Sequence, residues 1–447
     1  MYEADTIAAI ATPPGPGGIG VVRASGPAAE RLADAVFRRH RTGVWATHRL
    51  YHGRIVDADG AAIDEGLATL MRAPHSYTGE DVLELHCHGS PVLLQRVLQS
   101  LLHRGARSAR AGEFTKRAFL NGKLDLAQAE AVAELVHART ADAANAAADQ
   151  LFGRLSAHLA TLRQQLIRAK GHLEVGIDFS EEDVALDDTA LADDLERARA
   201  DVAALLRTYA RGRLLRQGLR VAITGRPNVG KSSLLNALLG AERAIVTPIP
   251  GTTRDVIEAS ADFDGVPVVL YDTAGLRDAS DDVERIGVDR ARAIAAGADV
   301  VLVVLDTSRS LAPQRALLDE GAPIAVLNKI DLPPAWSADE LAGFHPSVGV
   351  SATQPAGIDA LRQIVTHRAM RSWSDHLPTL TSARQHQALV QVEASLARAV
   401  AALSDRLPPD LVAVDVQAAL EHVGAVTGIV TSDEVLDAVF HEFCIGK

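Results

Sequence analysis

Cysteine, lysine, aromatic residues and long apolar runs are all scarce in this sequence, and each scarcity narrows the field. Only Cys87 and Cys444 occur among 447 residues, which gives no disulfide framework and fits a reducing compartment. No run approaches the roughly 18 apolar residues that a membrane span needs. The opening Met1-Tyr2-Glu3-Ala4-Asp5 carries acids where a signal peptide carries bases. The expectation is a soluble cytoplasmic protein with no membrane partner. A formal net charge of -12 argues against holding nucleic acid by bulk electrostatics, which requires clustered Lys and Arg. The charge is uneven: residues 1–123 carry 15 Lys+Arg against 12 Asp+Glu, while residues 124–447 carry 30 against 45. An anionic ligand outside a nucleotide pocket is therefore expected near the N-terminal part. Lysine is the rare cation, with six against a total of 45 basic residues, so each Lys hints at a place that needs a compact ammonium.

What is present points to two or three domains, since the chain is too long for one core. Residues 1–120 alternate short strands (Thr6 to Ala11, Gly20 to Ala24, Leu67 to Met71, Asp81 to His86) with helices such as Pro91 to His103, an α+β pattern. From 121 to 215 the sequence turns Ala-rich and helical, with Leu155, Leu159, Leu162 and Leu166 on one face and an acidic break from Asp178 to Asp188. Residues 216–375 alternate strands (Val221 to Thr224, Val266 to Tyr271, Val300 to Leu305, Ile324 to Leu327, Val348 to Val350) with helices, as a wrapped parallel sheet does. Residues 376–447 return to helix, carried by Leu389, Val392, Leu396, Val400 and Leu403. The economical reading is a multidomain chain: an α+β N-terminal domain, then an all-α helical domain interrupted by an inserted α/β P-loop domain. Separate helical domains on either side are the alternative.

Gly225-Arg226-Pro227-Asn228-Val229-Gly230-Lys231-Ser232 fits a P-loop between a strand and a helix that begins near Ser233. Its amides and Lys231 suit a nucleotide's phosphates, and Ser232 suits Mg²⁺. Asp272-Thr273-Ala274-Gly275 follows a strand, putting a carboxylate near Mg²⁺ and a free Gly amide near the γ-phosphate. Thr253, in Gly251-Thr252-Thr253-Arg254-Asp255, can complete the Mg²⁺ shell only with a γ-phosphate present, which makes a switch. Asn328-Lys329-Ile330-Asp331 supplies guanine selectivity, because Asp331 can accept from the base's N1–H and N2–H₂, a pattern adenine lacks. Ser351-Ala352-Thr353 is a fifth element. The set resembles the translation-factor class of GTPases; an ATPase would have to explain Asn-Lys-x-Asp. The position after Asp-x-x-Gly is Leu276, where many GTPases carry a water-orienting Gln. A carboxylate from the segment that follows, Asp278, Asp281, Asp282 or Glu284, can take that part.

With Gly-Arg-Pro-Asn-x-Gly-Lys-Ser-Ser, Gly-Thr-Thr-Arg-Asp, Asp-Thr-Ala-Gly-Leu-Arg, Val-Glu-Arg-Ile-Gly and the terminal Phe443-Cys444-Ile445-Gly446-Lys447 on the page, the chain resembles the MnmE (TrmE) family of tRNA modification GTPases from Asp5 to Lys447. The resemblance implies a homodimer that works with the flavoprotein MnmG on C5 of the tRNA wobble uridine. It implies a 5-formyl- or methylene-tetrahydrofolate cofactor held by Arg23, Glu84, Lys123 and Lys447. It implies K⁺ at Asn228, helped by Thr247, Ile249 and Thr252, with Thr247 also in the nucleotide site and Glu284 as the catalytic carboxylate. It further implies a thiol role for Cys444. Where the family commonly has Arg, this chain has Pro16. A ribosome-assembly or stress-response GTPase with RNA-binding flanks is the alternative.

Two look-alikes are set aside. Gly15-Pro16-Gly17-Gly18-Ile19-Gly20 matches a dinucleotide fingerprint but runs into the strand Val21-Val22-Arg23. His86-Cys87-His88 on a strand points its cysteine away from both histidines.

Overall fold

In the computed structural model the described residues are 5–40, 43–178, 188–245, 257–272, 296–318, 322–341, 344, 346–352, 357–369, 377–441 and 443–447. The chain divides into two compact units, Met1–Ala133 with Leu151–Val184 and Pro408–Lys447, and Glu134–Gln150 with Ala185–Leu407.

The first unit is built on strands β1 (Ile7–Ile10), β2 (Gly17–Ser25), β3 (Phe37–Arg39), β4 (Leu50–Val56), β5 (Ala62–Met71), β6 (Val82–Gly89) and β7 (Arg107–Ser108). They lie in the order β3-β4-β5-β6-β2-β1-β7. Alternation along β6 sends Leu83, Leu85 and Cys87 to one face, where they meet Leu32, Val36, Leu94, Val97 and Leu101. Those partners come from helices Ala29–Val36 and Pro91–His103, so two helices cover that face. The other face carries Arg23, Glu84 and His86, with helix Glu113–Leu120 beside it. The acidic break separates helices Arg154–Asp178 and Asp188–Arg207. On the first, Leu155, Leu159, Leu162 and Leu166 are buried, as a one-face stripe requires. Helix Asp433–His441 sets Leu436 and Phe440, followed by Phe443, against Leu126, Ala129 and Val132. The last residues are thereby laid beside β1: Ala111 bridges Ile445, and Gly446 approaches so closely that a Cβ would sit 2.2 Å from the Ile10 carbonyl oxygen.

In the second unit the sheet runs β14-β13-β12-β8-β11-β10-β9. Its strands are β8 (Leu219–Gly225), β9 (Ala244–Ile245), β10 (Ile257–Phe263), β11 (Val266–Asp272), β12 (Val300–Asp306), β13 (Ile324–Asn328) and β14 (Ser347–Val350). Five strands are parallel, as the apolar runs predict, because both faces are covered and nothing polar needs to alternate. β10 and β9 are antiparallel additions. β10 was not anticipated: its sequence, Ile-Glu-Ala-Ser-Ala-Asp-Phe, is too polar to stand out as a buried strand. In helix Ala383–Ser404, Leu389, Val392 and Leu396 are buried as predicted. Toward its end Ala399 and Ala402 are the buried positions, and Val400 and Leu403 are half-buried.

Candidate functional site

All five parallel strands of the second sheet point their C-terminal ends the same way, so the loops that leave them share one edge, where α/β sheets bind ligands. From β8 the chain passes through residues 226–230 into the helix Lys231–Arg243. Two residues of this loop adopt left-handed backbone, Asn228 at φ 63° and Gly230 at φ 96°. Asparagine tolerates that region and glycine favours it. Gly230 has a second constraint, since a Cβ there would lie 2.3 Å from Asn328 Nδ2. The P-loop and the Asn-Lys-x-Asp segment are thus packed with no room for one methyl group.

The Lys231 ammonium donates to the carbonyls of Gly225 and Arg226, both at 3.0 Å, which folds it over the loop whose amides suit phosphate. Ser232 and Ser233 are exposed at the start of the helix, and Val229 is buried beneath the loop. The Ser232 hydroxyl donates to Asp272 Oδ2 at 2.9 Å, bringing the first and second sequence elements into contact. A hydroxyl beside a carboxylate is a hard-oxygen donor set, the type that Mg²⁺ takes.

β12 and β13 run in register, with Asp306 opposite Asn328. Asn328 Nδ2 donates to the Val229 carbonyl at 2.8 Å, while its Oδ1 is buried with no hydrogen-bond partner among the described residues. Lys329 donates to the Asn228 carbonyl at 3.1 Å and to Asp306 Oδ2 at 2.7 Å. Asp331, exposed, accepts from the Ser351 hydroxyl at 2.7 Å, and Ala352 follows at the end of β14. Asp306 was not found by sequence reasoning. It is fully buried; burial raises its carboxyl, but hydrogen bonds from Lys329 and Ser308 outweigh that and hold it below the usual range. The available signal was its position ending the strand beside β13. Thr247, Ile249, Thr252, Thr253, Thr273, Ala274, Gly275 and Glu284, with the rival acids, lie outside the described residues.

On the first unit's helix-poor face, Arg23 and Glu84 are direct cross-strand partners. Arg23 Nε donates to Glu84 Oε1 at 2.8 Å, and its guanidinium lies 5.6 Å from the Tyr77 ring centre and 5.7 Å from that of Phe114. The pair is largely shielded, at 19% and 17% exposure, unlike an ordinary solvated strand charge. A hydrogen bond from His86 and the nearby Arg23 hold the Glu84 carboxyl low against the opposing effect of burial. A carboxylate and a guanidinium, the latter packed near Tyr77 and the fully buried Phe114, suit a heteroaromatic ligand with a hydrogen-bonding edge. Lys123 is exposed and donates to the Pro74 carbonyl at 3.1 Å. Lys447 follows Gly446 beside β1, and Cys444 is exposed. Cys87 is a core residue, buried with Leu85 and Leu94, while His88 turns outward to Asp64 at 2.9 Å. Gly17–Gly20 open the strand β2, where the dinucleotide fingerprint would open a helix, so the look-alike fails structurally.

A family model described as the MnmE helical domain matches residues 126–444, and one described as GTP-binding protein TrmE N-terminus matches residues 6–123. The chain belongs to the MnmE family. The protein named tRNA modification GTPase MnmE from Symbiobacterium thermophilum is 47% identical over 455 residues, 99% of each chain. Its counterpart in Moorella thermoacetica is 45% identical over 461 residues, again 99% of each. Among solved structures, Era in complex with MgGDPNP and nucleotides 1506–1542 of 16S ribosomal RNA is 26% identical, covers 39% of this chain and 66% of that one, and has a TM-score of 0.26. No helix among the described residues is long and apolar enough to cross a membrane.

Proposed function

We propose that this chain is a tRNA modification GTPase whose GTP cycle depends on K⁺ and on pairing of two copies. With the flavoprotein MnmG it adds an aminomethyl or carboxymethylaminomethyl group at C5 of the wobble uridine. The observation that carries the GTPase reading is the convergence of Lys231, the Ser232–Asp272 pair, Asn328 and the Ser351–Asp331 pair at one sheet edge. In this reading Lys231 meets the phosphates, Ser232 and Thr253 hold Mg²⁺ with Asp272 behind them, and Ser351 fixes the Asp331 carboxylate toward guanine. Mg²⁺ would neutralise charge that develops between the β- and γ-phosphates. Asn228, Thr247, Ile249 and Thr252 hold K⁺, and Glu284 orients the attacking water.

The second part of the proposal is a tetrahydrofolate site at Arg23, Glu84, Lys123 and Lys447, supported by the shielded Arg23–Glu84 pair with its guanidinium near Tyr77 and Phe114. The folate would supply the one-carbon unit. The residues' own work is to present Glu84 as acceptor to a pterin edge and cations to the folate carboxylates. We take residues 1–120 as the folate-binding and dimerising domain and 216–375 as the GTPase domain. The segments 121–215 and 376–447 then form one helical domain, all in a cytoplasmic protein.

Steady-state GTP hydrolysis in matched KCl and NaCl tests the mechanism. The expected result is strong K⁺ stimulation that Asn228→Gly removes, a variant that keeps the left-handed backbone of that position. Equal rates in both salts sink the cation mechanism, and a fully modified wobble uridine in a deletion strain sinks the tRNA assignment.

A further inference from the structure

We propose that His40, His52 and Glu65, on the exposed face of the N-terminal sheet, form a site for a zinc-class divalent ion. β3 pairs antiparallel with β4, Arg38 opposite Arg54 and Arg39 opposite Gly53; one further step sets His40 beside His52. β4 pairs with β5, Arg54 opposite Glu65. Parity along the strands then puts His40, His52 and Glu65 on one face. His40 Nε2 lies 3.5 Å and His52 Nε2 3.4 Å from the same oxygen, Glu65 Oε1. The three ligand atoms all lie within 4.8 Å of one another.

Those separations are informative. Donors bound tetrahedrally at about 2.0–2.1 Å stand roughly 3.3–3.4 Å apart, close to both nitrogen–oxygen distances here. Two imidazoles and one carboxylate are the borderline donor set that zinc accepts, with a fourth position for water, whereas Mg²⁺ favours all-oxygen octahedra. The imidazole rings lie 4.9 Å apart at 40°, so both edges can turn toward one point without stacking flat. Arg38 and Arg54, on the same face, oppose a cation and lower the expected affinity. Bound there, the ion would tie the three-residue edge strand β3 to the two strands inside it. None of the three residues belongs to the proposed nucleotide or folate sites.

The full-length protein, stripped with chelator and held in excess Mg²⁺ with GDP, is titrated with Zn²⁺ by calorimetry. The expected result is one Zn²⁺ equivalent per chain more in the wild type than in His52→Ala or His40→Ala, and affinity weakened at least about tenfold in Glu65→Gln. His88→Ala, which removes a histidine of the same sheet engaged elsewhere, is expected to keep that equivalent. Because the three side chains are exposed, the variants should keep the wild-type melting temperature without metal and the wild-type GTP turnover. Equal Zn²⁺ stoichiometry and affinity in the wild type and His52→Ala, zero in both included, overturns the proposal.

Discussion

Asp306 receives the Lys329 ammonium at 2.7 Å while Lys329 itself sits at φ 65°. A lysine held in left-handed backbone needs something to hold it there, and the carboxylate at the end of the neighbouring strand does so. Removing that charge-assisted bond forfeits about 1.5–3 kcal/mol of positioning. Asp306→Asn is therefore expected to weaken guanine-nucleotide binding about tenfold or more, read by displacement of a fluorescent GDP. Wild-type affinity would show that Lys329 needs no such anchor.

Gly230→Ala faces two costs, a left-handed φ of 96° and a methyl 2.3 Å from Asn328 Nδ2. The variant is expected to lose about 1–3 kcal/mol of stability and to bind nucleotide poorly, because the P-loop must move away from Asn328. A variant with an unchanged melting temperature and unchanged affinity would contradict this packing.

Asp5 and Glu113 meet Arg107 at 2.6 Å each. Burial raises both carboxyls, but hydrogen bonds from Arg107, joined for Asp5 by Arg117, prevail and leave them below their ordinary 3.8 and 4.5. Depressed carboxyls stabilise the fold fully above those ordinary values and lose the contribution as pH falls through the lowered ones. The melting temperature should fall as pH drops below about 4, and fall less steeply in Arg107→Gln. Parallel melting profiles of variant and wild type would remove Arg107 from the account.

Burial pushes the Cys87 thiol up to about 12, while Cys444 is exposed. Since only thiolates react readily, a thiol reagent at mild alkaline pH should label one cysteine per native chain. Cys444→Ser should label none until denatured. Rapid labelling of that variant in its native state would show that Cys87 is open to solvent.

Much of the nucleotide site was legible because its chemistry lies in contiguous segments. A strand, a Gly-rich turn and a helix place Lys231 and Ser232 locally, and no distant partner is needed to predict them. The Ser351–Asp331 bond and the Asp306–Lys329 pair were not legible, since each depends on which strands lie side by side in the sheet. The same limit applies to Arg23 and Glu84. Sixty-one positions apart, they look like two stray strand charges until β2 and β6 pair, and only the family resemblance singled them out. β3 and β4 were missed for a simpler reason: Phe-Arg-Arg, at the sheet edge, and Leu-Tyr-His-Gly-Arg-Ile-Val, the strand beside it, interrupt their apolar positions with exposed Arg and His, so no clear apolar run stands out.

The first unit is assembled from Met1–Ala133, Leu151–Val184 and Pro408–Lys447, with Phe443 and Gly446 packed into it. Pro408 is synthesised roughly 275 residues after Ala133, which at about 5–20 residues per second is a delay of roughly 15–55 s. Strand β1 must wait through that interval on the ribosome with its C-terminal neighbours not yet made, although Leu219–Val350 already contains every strand of the second sheet. The order of emergence therefore favours a nucleotide-binding unit that matures before the N-terminal unit is finished.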